Sequence, residues 1–406
     1  MGSTSREEAS DAGSESIRWK NREATRLTNG VVELVALTSG GHLAVFRFLD
    51  QNGRASQNVF WEAPWVTLDP GERPADDLPP IYGPVEVRKF LAGYTGHSLC
   101  LDYFGGPSAE QAAAGFSLHG EAPNTRWDVL QSAGPGKAVS RWNVKLPSAQ
   151  LAFEREIRLG VGESVAYVRE TVSNECGAEH AFDWVQHVTF GPPLLKEGES
   201  TLSASGHRGI TWPINYDGGS MLANNREFTW PNAPLASGNG FADLRQPFTR
   251  KGLGLIAGVQ LDPRREQEYV LAVNWKGRLG VGYCFRRADF PWMTIWEENH
   301  ARLDPPWNGR TQSRGMEFGT TPLPLGREET VRRGPLFDTP HQCVIPAGGK
   351  KTAQYLIFLF EIPSGIDSIE NVDAAGDTIV LYDQSGRPSL SIPAAGCGDF
   401  LARASS

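Results

Sequence analysis

Two histidines and one glutamate draw attention because each sits where a strand-like run meets small or turn-forming residues. His119 lies in Gly115-Phe116-Ser117-Leu118-His119-Gly120-Glu121, shortly before Trp127. An imidazole titrates near neutral pH, so it can move a proton or hydrogen-bond a ligand oxygen; it can equally be a local group that shapes a glycine turn. His187 lies in Phe182-Asp183-Trp184-Val185-Gln186-His187-Val188-Thr189-Phe190, which runs into Gly191-Pro192-Pro193. In a strand, Asp183, Val185 and His187 share one face, which lets Asp183 or a neighbouring group fix the imidazole tautomer. The competing reading is a buried, satisfied histidine among aromatic residues. Glu317 lies in Arg314-Gly315-Met316-Glu317-Phe318-Gly319. Burial between glycines and apolar residues would raise its pKa and suit it to general-base work, whereas a lone strand glutamate more often faces water. Glu297 and Glu298, after Thr294-Ile295-Trp296, are competing acids.

The chain has 12 tryptophans, and Trp127, Trp184, Trp296 and Trp307 lie beside these polar groups in sequence. Aromatic faces stack on the apolar faces of sugar rings, so these four, with Glu297, are candidate substrate contacts; most tryptophans in any protein are core.

The elements that must position these groups read as strands. Val31 to Leu37 and Leu43 to Leu49 form an opening hairpin about the Gly40-Gly41 turn. Leu151, Phe153, Arg155 and Ile157 alternate with polar residues, and after Gly160 and Gly162 so do Val165, Tyr167, Arg169 and Thr171. Period-two runs continue through 181–190, 253–261, 269–275, 279–286, 291–296, 351–361 and 378–382, and no helical stretch matches them in clarity. The proline-rich 61–82 stretch reads as an ordered loop over a surface or cleft, and 196–252 as long connections between strands. No repeat period appears, which argues against a propeller. The fold class expected is all-β, a large antiparallel sandwich continuous from Gly30 to Leu390, with a disordered tail over 1–21 and a single domain over 22–406.

Composition narrows the partners. Hydrophobic residues make up 40% and charged residues 21% of 406 positions, enough to bury a sizeable core. A formal net charge of -8, with Arg264-Arg265 and Arg332-Arg333 as the most basic stretches, offers no nucleic-acid footprint. No run is long enough to span a bilayer, and Met1 to Asn21 lacks the apolar stretch of a signal peptide, so a cytoplasmic location is the default. Five widely separated cysteines, with no CxxC pair, suggest neither a disulfide framework nor a zinc site.

Taken in order, these segments resemble the galactose mutarotase (aldose 1-epimerase) superfamily from about Gly30 to Glu361. Gly40-Gly41-His42-Leu43 to Gly53 is similar to its first hairpin, and Leu118-His119-Gly120 followed by Trp127 to its Leu-His-Gly-Gly segment. Asn174 to His187 resembles the strand carrying its second histidine. Met293 to Trp296, then Gly315-Met316-Glu317, resembles the strand pair leading to its catalytic glutamate, and Pro346-Ala347-Gly348-Gly349 its late turn. The family's Arg-Asn-Arg-Ile-like segment has no counterpart between Tyr82 and Tyr103, and its substrate-binding Asp finds no match here. The resemblance implies a β supersandwich and interconversion of the anomers of a small-molecule sugar without metal or cofactor; a monomer or homodimer is expected. It implies Glu317 as base, His187 as acid and His119 as a hydrogen-bonding group, with a bell-shaped pH dependence whose lower limb belongs to Glu317 and upper limb to His187. Two other classes stay open: a sugar-binding or sensing protein without turnover, and a lyase or hydrolase in which Glu297 and Glu317 face each other.

Overall fold

A computed structural model describes residues 12–50, 52–132 and 138–402. Among these, antiparallel strands make up two large sheets facing one another, and the expected all-β sandwich is the fold found. The larger sheet has 14 strands, and its middle runs in hydrogen-bonded order through His97–Asp102, His180–Phe190, Gln312–Gly319, Trp292–Asn299 and Leu253–Leu261. The second sheet has eight strands, with Lys350–Glu361 paired to Val165–Asn174 near its centre. Alternation along each strand sends one set of side chains between the sheets. Trp184, Val188, Met293, Ile295, Met316 and Phe318 of the large sheet meet Phe153, Ile157, Val281, Tyr355 and Ile357 of the smaller one in one buried cluster.

This interior also holds a polar bridge. The carboxylate of Glu170 accepts hydrogen bonds from Arg155 Nε at 2.7 Å, Gln186 Nε2 at 2.6 Å and Tyr355 OH at 2.9 Å. Gln186 Oε1 in turn meets His97 Nε2 at 2.9 Å, tying the two central strands of the large sheet to the smaller sheet. A buried charge is tolerated when it is paired and its lone pairs are filled, as here.

Three expectations need correction. The sandwich does not run to Leu390: Asn371–Ala375, Thr378–Tyr382 and Pro388–Pro393 make a separate three-stranded sheet. With helix Cys397–Ala402 it covers the outer face of the eight-stranded sheet, burying Val165, Tyr167, Leu271, Leu356 and Phe358. A strand covered on both faces reads as an unbroken apolar run, which is what Leu356-Ile357-Phe358-Leu359-Phe360 is. The tail expected over 1–21 is ordered in part, since Gly13–Trp19 is an edge strand paired with Arg22–Thr28; residues 1–11 lie outside the described residues. Finally, the 196–252 stretch contains strands, among them Ser200–Ala204 in the smaller sheet and Gly206–Thr211 in the larger. Among the described residues, no helix is long and apolar enough to cross a membrane.

Candidate active site

Three neighbouring strands of the large sheet carry a cleft on the face turned away from the sandwich interior. Gln186 stands opposite Phe318, and Thr189 opposite Gly315, so the register between them sets His187 against Glu317. Thr294 and Trp296 lie opposite Glu317 and Gly315 on the next strand. His187 Nε2 and Glu317 Oε1 are 3.4 Å apart, and both side chains are almost fully buried. Gly315 makes room for the carboxyl: a Cβ there would lie 2.1 Å from Glu317 Oε1. That is the structural use of the glycine in Gly315-Met316-Glu317.

His119 reaches the same cleft from a turn. Its backbone is in the left-handed region, φ 65°, followed by Gly120 at φ 83°. At Gly120 a Cβ would strike the carbonyl oxygen of Leu101 at 2.2 Å, so the glycine lets the turn dock on the His97–Asp102 strand. The imidazole stacks on Phe104, with centroids 5.4 Å apart, and meets the His187 ring at 4.9 Å. Its Nδ1 faces the backbone N–H of Gly105 at 3.4 Å.

A cavity of about 190 Å³ opens among these groups, lined by His119, His187, Glu317, Trp296, Trp307 and Arg302, with Phe90, Leu91, Tyr94, Phe104 and Trp212 among its apolar walls. Burial dominates its electrostatics. It lifts the Glu317 carboxyl well above the usual carboxylate range. It pushes His187 down to about 3 and holds His119 well below its ordinary value, the latter aided by nearby His187 and Arg302. Tyr94 OH and Thr189 Oγ1, 2.6 Å from each other, stand 3.5 and 3.3 Å from His187 Nδ1. Hydroxyls both donate and accept, so this pair suits either tautomer and leaves Nε2 for Glu317. Among the described residues, no group of three or more His, Cys, Asp or Glu side chains is arranged to hold a metal ion.

The sequence-derived candidates divide. His119, His187, Glu317, Trp296 and Trp307 line one cavity. Trp184 does not: it alternates with Asp183 and Val185, points between the sheets and packs on Phe153 and Phe290. Trp127 is also core, donating to Ala122 O and meeting Phe153 edge-on. Glu297 shares the interior face with Met293 and Ile295, where it pairs with Arg314 at 2.9 Å and accepts from Phe248 N at 3.0 Å. The facing pair of Glu297 and Glu317 therefore does not exist, because the sheet lies between them. Asp183 does not fix His187 either; its Oδ2 accepts from Phe104 N at 3.0 Å and so braces the wall on which His119 stacks. The residues that sequence reasoning missed are Arg302, Trp212, Tyr94 and Phe104, with Phe90 and Leu91 from the short helix Val85–Gly93.

Comparison with solved structures assigns the architecture. The chain is similar to a candidate aldose 1-epimerase from Klebsiella pneumoniae at TM-score 0.61 and 15% identity, covering 84% of this chain and 80% of that one. A galactose mutarotase-like protein from Clostridium acetobutylicum matches at 0.56 and 13%, covering 87% and 99%. A galactose mutarotase related enzyme from Lactobacillus acidophilus matches at 0.53 and 13%, covering 85% and 99%. No family model and no curated protein matches the chain. At these identities the likeness is one of fold: the chain has the galactose mutarotase-like sandwich.

Proposed function

We propose that the cleft interconverts the α and β anomers of an aldose by opening and reclosing its ring. The observation that carries this reading is the convergence of a carboxyl and an imidazole, 3.4 Å apart, beside a second imidazole in one buried, aromatic-walled cavity. In the opening step Glu317 takes the proton of the anomeric hydroxyl while His187 gives a proton to the ring oxygen. The bond from C1 to the ring oxygen breaks and the C1 oxygen becomes a carbonyl. Rotation about C1–C2 turns the other carbonyl face toward the hydroxyl, and the reverse transfers close the ring, so each group ends with the proton it began with. His119 hydrogen-bonds sugar oxygens, and Trp296 and Trp307 offer ring faces to the sugar.

Burial favours the neutral form of both groups, with the shared proton on Glu317 and none on His187. The working pair carries the same single proton on His187. Transfer across the 3.4 Å contact links the two forms, and sugar hydroxyls donating to the carboxylate favour the ionic one. Two coupled groups titrate as a unit, so the limbs of the pH profile belong to the pair, and the one-group-per-limb assignment expected from sequence is dropped. The rate should still be bell-shaped in pH, since the pair works only with one proton. Anomeric exchange followed by NMR or polarimetry over a panel of aldoses tests the proposal. Sugar binding with exchange left at the uncatalysed rate would replace the enzyme by a sugar-sensing protein.

A further inference from the structure

The cavity contains one basic side chain, Arg302, that the reaction above leaves unused. Arg302 follows the Trp292–Asn299 strand, and its backbone N–H donates to Glu298 Oε1 at 3.0 Å. Its guanidinium lies over Trp307 at 4.8 Å and over Tyr216 at 4.7 Å, with Trp296 at 6.0 Å. The nearest carboxylates, Glu298 and Asp217, are each 3.9 Å from Arg302 Nε, beyond hydrogen-bond reach. Glu298 is otherwise engaged, accepting from Ala301 N, Arg302 N and Tyr216 OH, while the Asp217 side chain is 78% exposed.

The contrast with the buried arginines is informative. Arg22 donates to Asp69, Gly93 O and Ser39 O; Arg155 donates to Glu170 and Gly41 O; Arg314 donates to Glu297 and Leu244 O. Arg302 lies over the Tyr216 and Trp307 rings and makes no side-chain hydrogen bond to protein among the described residues, while it lines the cavity with 24% of its side chain exposed. A guanidinium packed on aromatic rings, with its N–H groups free of protein hydrogen bonds, keeps a fork of donors that matches the paired oxygens of a phosphate or carboxylate. Arg302 is also the one Arg or Lys among the cavity-lining residues.

We infer that the ligand of this cleft is an anionic sugar, a sugar phosphate or a sugar acid, whose oxyanion is received by Arg302. The inference rests on the reading of the cleft as a sugar site and specifies the class of sugar. Glu298 and Asp217 oppose it by partly offsetting the charge; direct N–H···O bonds near 2.8 Å outweigh contacts at 3.9 Å that form no hydrogen bond.

The test is calorimetric binding of glucose, glucose 6-phosphate and glucuronate to the full chain, as wild type, Arg302→Gln and Arg302→Lys. An oxyanion in the fork should bind at least about tenfold tighter than glucose, weakening with added salt. Arg302→Gln should remove that preference, and Arg302→Lys, which keeps the charge but loses the fork, should keep only part of it. The readout is a ratio of two affinities on one variant, so a reduced folded fraction does not imitate the effect. Whichever anionic sugar carries the preference identifies the group as phosphate or carboxylate. Equal affinity for all three sugars, or a preference that survives Arg302→Gln, overturns the inference. Arg302-dependent binding of an anionic sugar without accelerated exchange removes the catalytic reading and leaves the inference standing. Fast exchange of glucose without any anion preference does the reverse, and failure of all three to bind overturns both.

Discussion

Glu297 and Glu317 lie on neighbouring strands, each about 1% exposed, on opposite faces of one sheet. Burial raises the pKa of both, yet their surroundings differ. On the interior face Glu297 has the Arg314 guanidinium at 2.9 Å and a backbone donor at 3.0 Å, and Arg314 works against the burial effect. On the cleft face Glu317 pairs with no Arg or Lys among the described residues, its Oε1 makes no hydrogen bond there, and its neighbour is an imidazole that burial keeps neutral. A structural acid is saturated with donors; an acid meant for proton transfer is left short of them beside an open cavity. The same strand pair thus saturates one carboxyl with donors and leaves the other short of them beside the cavity.

The largest expected effect separates the two acids by readout. Glu317→Gln keeps the shape of the side chain and removes its basicity, so turnover should fall by about 100- to 10,000-fold while sugar binding largely survives. Loss of binding with turnover intact would make Glu317 a positioning group. Glu297→Gln should act on the fold instead. It leaves the fully buried Arg314 without its counter-charge, at a cost of about 3–5 kcal/mol in denaturant unfolding. Replacing both partners of that pair by methionine should restore much of the loss, because a well-packed apolar pair of similar volume is close to neutral. A Glu297→Gln protein of wild-type stability would remove the contrast.

A smaller effect tests the space Glu317 occupies. Gly315→Ala sets a methyl 2.1 Å from Glu317 Oε1, and the end of a flexible side chain gives way more readily than backbone. The melting temperature should change little. Turnover should fall by about 100-fold, the usual scale for a misplacement near 1 Å. Unchanged turnover would mean that the carboxyl has other productive positions.

Much of this was legible before the structure, and the misses have identifiable causes. Period-two runs located the strands, and the glycine-flanked His119 and Glu317 pointed to positions where backbone or carboxyl needs room. Trp184 and Glu297 were misassigned although the signal was present: the alternation that puts Asp183, Val185 and His187 on one face puts Trp184 on the other, and Glu297 is likewise out of phase with Trp296. Asp183 failed as partner of His187 because four residues along a strand span roughly 13 Å. Arg302 was not legible, since it comes from an irregular loop whose course follows from Glu298 accepting two backbone N–H groups. The three-stranded cover over the smaller sheet was hidden by alternation that resembles a continuation of the sandwich.

The last and smallest effect concerns stability against pH, and its sign follows from linkage. Burial raises the Glu317 pKa in the folded state above its unfolded value. Its contribution is therefore fully present below the ordinary carboxylate pKa, about 4.3, and is lost as pH rises through the folded value, because the unfolded chain releases the proton first. Gln does not ionise and escapes this loss. The melting temperature of Glu317→Gln relative to wild type should thus climb as pH rises from about 4.3 through the raised folded value of Glu317, with the titrating groups that do not couple to Glu317 cancelling in the difference. His187, pushed down to about 3, has the opposite sign: its stability is present above about pH 6.5 and lost as pH falls, and it remains in both proteins. Glu297→Gln should instead lie below wild type throughout, since it removes the partner of a buried cation. A flat difference for Glu317→Gln would mean that this carboxyl ionises as readily in the cleft as in the unfolded chain, and burial would then not hold it neutral beside the cavity.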